Sequence, residues 1–273
     1  MKITVVLTCF NRKEKTLECV RGLIKGNPEI IFDFVVVDDG SSDGTKDALE
    51  ASEYAEFLRV ITTNGNCYYS GGMRIGMEEI LKREWKPEYV LMVNDDVRFY
   101  DLVIQKLEKQ SFEKNGAVIV GTTCDEQGNQ SYGAVLYTDT KSVKYRAVKK
   151  GEQTECDTFN ANCVLIPYQF FEKAGAIDKY YIHTLGDFDY GLSLKNAGAK
   201  IFASEEFVGV CNKNSIKGTW LDTALPLKKR LSLKEMPKGA PAKQWFYFLK
   251  KNFGIGKAIV FTITPYIKLF LGR

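Results

Sequence analysis

Adjacent acids follow an apolar run in the stretch VLMVNDDVRF, residues 90–99. Asn94, Asp95 and Asp96 interrupt the apolar residues, which resume at Val97. Asn and Asp side chains often form turns at strand ends, because they hydrogen-bond their own backbone. Paired carboxylates also bind hard divalent cations such as Mg²⁺. This stretch alone is consistent with either a turn or a metal site.

A second acidic pair ends the apolar run of VVVDDGSSDGT, residues 35–45. Gly40 permits a tight turn after Asp38 and Asp39, and a later Ser or Asp of the stretch can cap the helix that follows. Capping explains the polar residues of the turn, but it does not explain two adjacent acids at the end of a strand. We therefore predict a functional role for this pair.

A glycine-rich stretch, NGNCYYSGGMRIG (residues 64–76), lies between the two acidic pairs. Gly71 and Gly72 lie at the start of a predicted helix, where backbone N–H groups can approach a phosphate or a sugar. Arg74 is a candidate partner for a donor diphosphate. A flexible loop before a helix that packs through its methionines explains the stretch equally well, because glycine pairs before helices are common.

Apolar strands alternate with helices in the first part of the chain. Runs rich in β-branched residues predict buried parallel strands at residues 3–8, 32–37, 57–61 and 89–93. Periodic apolar residues predict intervening helices at residues 11–25, 43–52 and 70–83. The alternation predicts an α/β fold with a mainly parallel central sheet. Both acidic pairs then lie at the carboxyl edge of the sheet, where such folds bind ligands.

The pattern changes after residue 116. The sequence predicts a strand at 117–121, a hairpin at 132–137 and 142–148, and another strand at 163–166. Helices are predicted directly after Pro167 and at 188–197. Beyond Trp220 the pattern loosens into Pro, Gly and Lys.

Five segments resemble those of the family 2 glycosyltransferases, which are inverting nucleotide-sugar enzymes of the GT-A fold. In chain order they are TCFNR, VVVDDGSSDGT, NDD, FEKAGAID and LGDFDYGLSLKNAGAKI, and together they span roughly residues 3–210. The resemblance implies helices on both faces of the sheet. It also implies a catalytic domain at 1–220, with a nucleotide-binding half at 1–115 and an acceptor-binding half at 116–220, followed by a helical extension at 221–273.

The resemblance also implies roles for the residues of the first half. The tip of the first strand and the acid of the DDGS turn hold the nucleotide base and ribose, which implicates Thr8, Asn11 and Asp39. Asp96 matches the ligand of an Mg²⁺ or Mn²⁺ ion on the donor diphosphate, and Asp95 matches a contact to the sugar or ribose. Asn94 replaces one family acid and lowers the charge of the site. Mg²⁺ commonly binds through only one or two carboxylates plus substrate phosphates.

Inverting transfer needs a carboxylate that removes the proton of the attacking acceptor hydroxyl. The family pattern Glu-Asp-x-Asp matches residues 186–189, with Gly186 in place of the first acid. The resemblance therefore assigns the catalytic base to Asp187 and an acceptor-orienting or structural role to Asp189. Because Asp187 precedes a helix, a helix-capping role is the competing interpretation.

The only histidine, His183, lies four residues before the proposed base, so we predict that it binds the acceptor. Many family members carry a metal-binding His after a later strand, where this chain has Cys211 and Asn212. The resemblance therefore implies that Asp96 and the phosphate oxygens alone bind the metal.

The composition is that of a soluble globular protein, with 273 residues, 45% hydrophobic and 26% charged. Seven scattered cysteines without a C-x-x-C pair argue against a disulfide framework or a zinc site and suit a reducing cytosol. The N-terminal MKITVVLTCFNR has no small-residue cleavage site, which favours a first strand over a signal peptide. We therefore expect a cytoplasmic protein.

The C-terminal tail is strongly basic. Residues 224–273 contain eleven Lys or Arg and one acid, Glu235, so the tail carries about +10 and residues 1–223 about −6. The apolar run at 258–267 is too short to span a bilayer. Interfacial contact with anionic lipid is favoured slightly over a lid or dimer element packed on the catalytic domain. Nucleic-acid binding is poorly supported, because the predicted active edge is acidic.

These observations predict inverting transfer of a sugar from a UDP- or dTDP-type donor to a glycan or lipid-linked acceptor. The resemblance suggests surface-polysaccharide synthesis at the inner face of a membrane. Rhamnosyl or galactosyl transfer is the first reaction that we predict. A nucleotidyltransferase is disfavoured, because TCFNRKEKT lacks the glycines that grip a triphosphate. A non-catalytic nucleotide- or glycan-binding module remains an alternative because of the departures at Asn94, Gly186 and Cys211.

Overall fold

Strands and helices alternate in the computed structural model, which describes residues 1–139 and 141–271. The strands are β1 (Lys2–Cys9), β2 (Ile31–Asp38), β3 (Leu58–Thr62), β4 (Tyr89–Val93), β5 (Arg98–Phe99), β6 (Val118–Cys124), β7 (Ala134–Asp139), β8 (Lys144–Ala147), β9 (Thr158–Phe159), β10 (Cys163–Pro167) and β11 (Ile201–Val210). The α-helices are α1 (Lys13–Gly26), α2 (Thr45–Glu50), α3 (Tyr68–Leu81), α4 (Val103–Glu113), α5 (Tyr168–Ala174), α6 (Gly186–Asn196), α7 (Leu227–Lys234), α8 (Ala242–Phe253), α9 (Ile255–Phe261) and α10 (Thr264–Phe270).

The central sheet has eight strands in the order β3-β2-β1-β4-β10-β6-β11-β5. β1 pairs in parallel with β2 and β4, β2 with β3, and β6 with β11. β10 is antiparallel to both of its neighbours, and β5 is antiparallel to β11. The predicted α/β fold with a mainly parallel sheet is confirmed. Every residue of β6 and β10 is buried, as expected for strands covered on both faces.

Helices cover both faces of the sheet. Alternate residues of β1 point to opposite faces because side chains alternate along a strand. Val5 belongs to one buried apolar cluster together with Val20 of α1. Val6 belongs to the other cluster, with Met77 of α3 and Leu194 of α6. The continuous apolar run of β1 therefore serves two cores.

Two helices begin later than the apolar periodicity predicts. α1 begins at Lys13 because Asn11 has a φ of 52° and its side-chain oxygen accepts a hydrogen bond from the Ser42 N–H at 2.8 Å. α2 begins at Thr45 because the Asp43 carboxylate accepts the Thr45 N–H at 3.0 Å and so ends the preceding turn. Both differences arise from polar contacts at the carboxyl edge of the sheet.

The predicted hairpin is present as the antiparallel pair β7 and β8. β9 pairs antiparallel with the other side of β7, and the three strands form a separate small sheet. This small sheet lies beyond the strands that carry the acidic pairs, and its tyrosines reach the same cleft as those acids.

The C-terminal tail is helical, which confirms the predicted helical extension, although the loose sequence pattern did not define the individual helices. Pro226 and Pro241 stand directly before α7 and α8, and Pro265 lies in the first turn of α10. Proline is favoured at helix starts, so these residues begin helices here. Phe248 of α8 is buried and belongs to the same apolar cluster as α3 and α6. Among the described residues, none of the helices has the length and hydropathy needed to cross a membrane.

Candidate active site

A cleft of about 720 Å³ opens at the carboxyl ends of β1, β2 and β4. The first turns of α3 and α6, the β7–β8 hairpin and α8 form its other walls. The structure brings together most of the residues singled out from the sequence, and the cleft is lined by Thr8, Asp39, Asn94, Asp95, Asp96, His183, Asp187, Cys211 and Asn212. Both halves of the chain and the tail therefore contribute to one site.

Asp39 fixes the loop between β3 and α3 against the tip of β2. Its buried carboxylate accepts hydrogen bonds from Thr63 Oγ1 at 2.6 Å, from the Cys67 N–H at 3.1 Å and from the Tyr68 N–H at 2.8 Å. Its neighbour Asp38 is buried and accepts the Ser41 N–H at 3.0 Å. Asp38 thus shapes the turn, while Asp39 also faces the cleft.

Arg12 bridges the second acidic pair. Its Nη1 lies 2.8 Å from Asp95 Oδ1 and 3.0 Å from Asp96 Oδ2. Burial raises the pKa of Asp95, and the charge of Arg12 opposes that shift. Thr16 Oγ1 donates to the other oxygen of Asp95 at 3.4 Å. Sequence reasoning missed Arg12, although it stands directly after the strand tip in TCFNR.

A divalent cation fits the donor set at Asp96. The Asp96 side chain is 22% exposed, and its Oδ1 has only a weak contact, at 3.6 Å, with the Cys211 thiol. Burial raises the pKa of the Cys211 thiol to about 12, and sulfur is a soft ligand, whereas Mg²⁺ and Mn²⁺ prefer oxygen ligands. No group of three or more His, Cys, Asp or Glu arranged for a metal occurs in the part of the chain that the structure describes. One or two carboxylates completed by substrate phosphates match the usual mode of Mg²⁺ binding.

Asp187 stands in the first turn of α6 on the cleft wall. Its Oδ1 accepts its neighbour's N–H, that of Phe188, at 2.9 Å, and its Oδ2 accepts the Ala161 N–H at 3.4 Å. Desolvation raises the pKa of Asp187 to about 6, against the effect of these hydrogen bonds. The carboxylate is therefore ionised at neutral pH but basic enough to accept a proton.

Polar atoms without a protein partner cluster beside Asp187. The buried atoms Tyr69 Oη, His183 Nδ1 and Thr184 Oγ1 have no hydrogen-bond partner among the described residues, and all three residues line the cleft. Burial lowers the pKa of His183 to about 4, so the imidazole is neutral at pH 7. Buried polar groups are normally satisfied, so these atoms are suited to contact substrate hydroxyls.

Aromatic side chains form much of the rest of the cleft wall. They come from the loop before the small sheet, from the small sheet itself, from α6 and from the tail, and they are Tyr132, Tyr137, Tyr145, Phe188, Trp245 and Phe248. Sequence reasoning missed this wall, because its members are spread over more than one hundred residues. The tail, which supplies two of its members, was predicted to contact lipid or to pack on the catalytic domain as a lid or dimer element.

Three residues singled out from the sequence do not line the cleft. Asn11 holds the β1 and β2 turns together through Ser42, and Arg74 lies 4.0 Å from Glu78 one helical turn along α3. Asp189 is buried beneath α6, where it accepts hydrogen bonds from Lys251 Nζ at 2.7 Å and from Asn252 at 2.8 Å. Asp189 thus anchors α8 of the tail, and its geometry does not support a direct acceptor contact.

Gly186 allows α6 and α3 to approach each other closely. A Cβ atom at position 186 would lie 2.8 Å from Ser70 Cβ, and closer still to Ser70 Oγ, and 3.2 Å from Ile177 Cγ2. Ser70 Oγ also donates to the His183 carbonyl at 2.7 Å, which fixes the loop before Asp187. A glutamate, the family residue at this position, has no room in this packing.

We expect Gly186→Ala to lower the free energy of unfolding by about 1–3 kcal/mol, the usual cost of overpacking. In a double-mutant cycle measured by urea denaturation, Ser70→Gly should recover part of that loss, because it removes the atoms that the new methyl meets. Equal stability of Gly186→Ala and the wild type would show that the two helices separate easily.

This fold, with its acidic cleft at the carboxyl ends of the strands, is that of the GT-A glycosyltransferases. The sequence model of glycosyl transferase family 2 matches residues 4–171, more than half of the chain. The chain therefore belongs to glycosyl transferase family 2 and is a glycosyltransferase, and the resemblance seen in the five segments is confirmed. Asp187 and the tail lie beyond the matched range. No curated protein sequence matches the chain.

Solved glycosyltransferases share the fold. TarS 1–349 from S. aureus, in complex with UDP, has a TM-score of 0.58 at 15% identity, covering 96% of this chain and 74% of that chain. The mannosyltransferase PcManGT from Pyrobaculum calidifontis, in complex with GDP-Man and Mn²⁺, has a TM-score of 0.58 at 12% identity, covering 97% and 74%. Our chain spans only 44% of the longer TarS chain, with a TM-score of 0.57 at 14% identity.

Proposed function

We propose that this glycosyltransferase moves a sugar from a nucleoside-diphosphate sugar to a hydroxyl acceptor, with inversion at the anomeric carbon. The observation that carries the proposal is Asp187, whose pKa of about 6 suits a general base, in the same cleft as the Asp95–Asp96 pair. Neither a strand-end turn nor a helix cap requires these acids to share a cleft. Family membership supports the same chemistry.

In this mechanism Asp187 takes the proton of the acceptor hydroxyl while that oxygen forms a bond to the anomeric carbon. The bond from that carbon to the diphosphate oxygen breaks on the opposite face, so the configuration inverts and the nucleoside diphosphate leaves. Thr8 and Asp39 bind the nucleoside end, and Asp95 contacts the sugar or ribose. An Mg²⁺ or Mn²⁺ ion bound at Asp96 supplies positive charge that stabilises the leaving diphosphate.

The proposal assigns the donor to residues 1–115 and the acceptor to residues 116–220, with α8 of the tail completing the acceptor side of the cleft. UDP and dTDP sugars are the first donors to test, with rhamnose and galactose as the first sugars. The two structural relatives support a wider panel, because they have been solved with UDP-GlcNAc and with GDP-Man and Mn²⁺. We propose a glycan or lipid-linked acceptor of surface-polysaccharide synthesis, reached from the cytoplasm at the inner face of the membrane.

A thermal-shift panel of UDP-, dTDP- and GDP-sugars, with Mn²⁺ or with EDTA, tests the donor proposal. One nucleotide class should raise Tm, and the rise should be larger with Mn²⁺, because a ligand that binds only the folded state stabilises it. Asp39→Asn provides the matched variant and should weaken the shift. If no nucleotide sugar raises Tm under either condition, the donor proposal fails.

A further inference from the structure

An exposed apolar face runs along the last two helices of the described chain. Twenty large apolar side chains are exposed among the described residues, and seven of them lie within residues 255–271. These seven form what we term the 255–271 face: Ile255, Ile259, Val260, Ile263, Ile267, Phe270 and Leu271. Scattered exposed apolar residues are ordinary, but a contiguous set of this size marks an interaction surface.

The opposite side of the same segment packs on the protein. Ala258 of α9 and Leu269 of α10 are buried, at 0% and 1% exposure. The Tyr266 hydroxyl donates to Glu235 at 2.6 Å, which joins α10 to the end of α7. Successive apolar residues of the 255–271 face are one, three or four positions apart, as expected for one broad side of a helical segment. Contacts on the inner side of the segment therefore keep the 255–271 face exposed to solvent.

Positive charge predominates in the tail that carries this apolar face. The exposed lysines of the tail are Lys228, Lys229, Lys238, Lys243, Lys250, Lys251 and Lys268, of which Lys238 lines the cleft and Lys251 is paired with Asp178 and Asp189. The only acid after Ala224 is Glu235, and it contacts Lys234 and Tyr266. Apolar side chains flanked by lysines are the pattern of segments that lie in the interface of an anionic bilayer. A second protein copy would bring the same positive charge and would be repelled.

We infer that the 255–271 face binds the surface of an anionic lipid bilayer. The occupant is the membrane itself, with the apolar side chains in the headgroup region and the lysines against acidic headgroups. The inference rests on the proposed function in one respect: membrane binding brings the enzyme to a lipid-linked acceptor.

The Trp245 side chain connects the segment that carries this face to the cleft. Trp245 of α8 lines the cleft, and its Nε1–H donates to the Phe261 carbonyl at the end of α9 at 2.9 Å. Phe248, one turn further along α8, lines the cleft and stacks on Trp245 with ring centroids 5.8 Å apart. A bilayer bound to α9 and α10 therefore lies close to the aromatic wall of the proposed acceptor site.

Vesicle sedimentation of the full chain tests the inference. We expect the wild type to sediment with vesicles of phosphatidylcholine mixed with phosphatidylglycerol, much less with phosphatidylcholine alone, and less as salt is raised. The double variant Ile259→Glu/Ile263→Glu should bind at least about tenfold more weakly, since it places acids on the apolar face. The matched control is Ile216→Glu, because Ile216 is 61% exposed and lies outside the face.

Two results would overturn the inference. One is a wild type that ignores anionic vesicles, or a double variant that binds them as well as the control. The other is a wild-type dimer in solution that the double variant converts to a monomer, which would mean that a second copy covers the face. The donor-induced rise in Tm, measured on the same variants, separates the two proposals. A retained rise without vesicle binding contradicts only the membrane surface.

Discussion

Asp187→Asn is expected to lower kcat for sugar transfer by roughly 10³-fold, within the range measured for general bases. An amide cannot take the proton of the acceptor hydroxyl, although it preserves the shape of the side chain and can still accept the N–H of Phe188 or of Ala161, but not both. Nucleotide binding should be unchanged, because the donor contacts lie on the other side of the cleft. Nucleoside-diphosphate release measures kcat, and calorimetry measures donor binding.

The pH dependence gives this prediction a second readout. Because Asp187 must be ionised to act and its pKa is about 6, kcat/KM should rise with pH up to about 6 and level off above it. The Asn variant should lose that rise. A carboxyl whose pKa is raised in the folded state destabilises the fold once pH exceeds its unfolded value. The Asn variant removes that cost but loses one N–H contact, so its Tm at about pH 7.5 should stay close to that of the wild type.

Asp47→Asn is the matched control, because Asp47 is an exposed acid in the first turn of α2, away from the cleft. It should leave both kcat and the pH profile as in the wild type. Unchanged transfer by Asp187→Asn would remove Asp187 as the base. A loss of transfer together with a lower Tm would indicate the helix-capping role instead.

Asp96→Asn is expected to weaken Mn²⁺-dependent binding of the nucleoside diphosphate by at least about 100-fold. Loss of a group that only supports a metal ligand typically weakens metal binding by about 10- to 100-fold, and Asp96 is proposed to bind the metal directly. Of the two carboxylates, only Asp96 has an oxygen almost free of protein contacts, and the amide removes its negative charge. Calorimetry with Mn²⁺ and with EDTA measures the effect, and electron paramagnetic resonance counts bound Mn²⁺ without any need for turnover.

Arg12→Gln should act in the opposite direction on the nucleotide-free protein. The guanidinium lies within 3.0 Å of oxygens from both acids, so it neutralises the charge that a metal needs. Its removal should tighten Mn²⁺ binding several-fold, as expected when a competing cation is lost. If Asp96→Asn keeps Mn²⁺-dependent nucleotide binding, or if Arg12→Gln weakens Mn²⁺ binding, the proposed metal position is wrong.

The sheet was predictable because its strands are continuous apolar runs and the helices between them are periodic. β4 was predicted with its observed limits, Tyr89–Val93. The residues of the cleft were predictable where they follow those strands, as Asp39 and Asp96 do. Arg12 was not, because its contact with Asp95 joins residues 83 positions apart and depends on where α1 begins.

Asp187 and Asp189 illustrate what helical geometry adds to a motif. Two positions in an α-helix are separated by roughly 200° around the axis, so both side chains cannot face one cleft. Asp187 lines the cleft, whereas Asp189 lies in the interior and accepts hydrogen bonds from Lys251 and Asn252 of α8. The tail helices could not be predicted in the same way, because their apolar residues face outward as well as inward.

The aromatic wall has a consequence for how acceptor choice can diverge in such a chain. The proposed donor side is formed by the ends of buried strands, where most substitutions disturb both cores. The proposed acceptor side is formed by α8 and the β7–β8 hairpin, which lie outside the central sheet and are held by a few buried apolar residues such as Phe248 and by polar anchors such as Asp189–Lys251. Replacing α8 and the β7–β8 hairpin together would therefore be the simplest way to change the acceptor while the sugar donor stays the same.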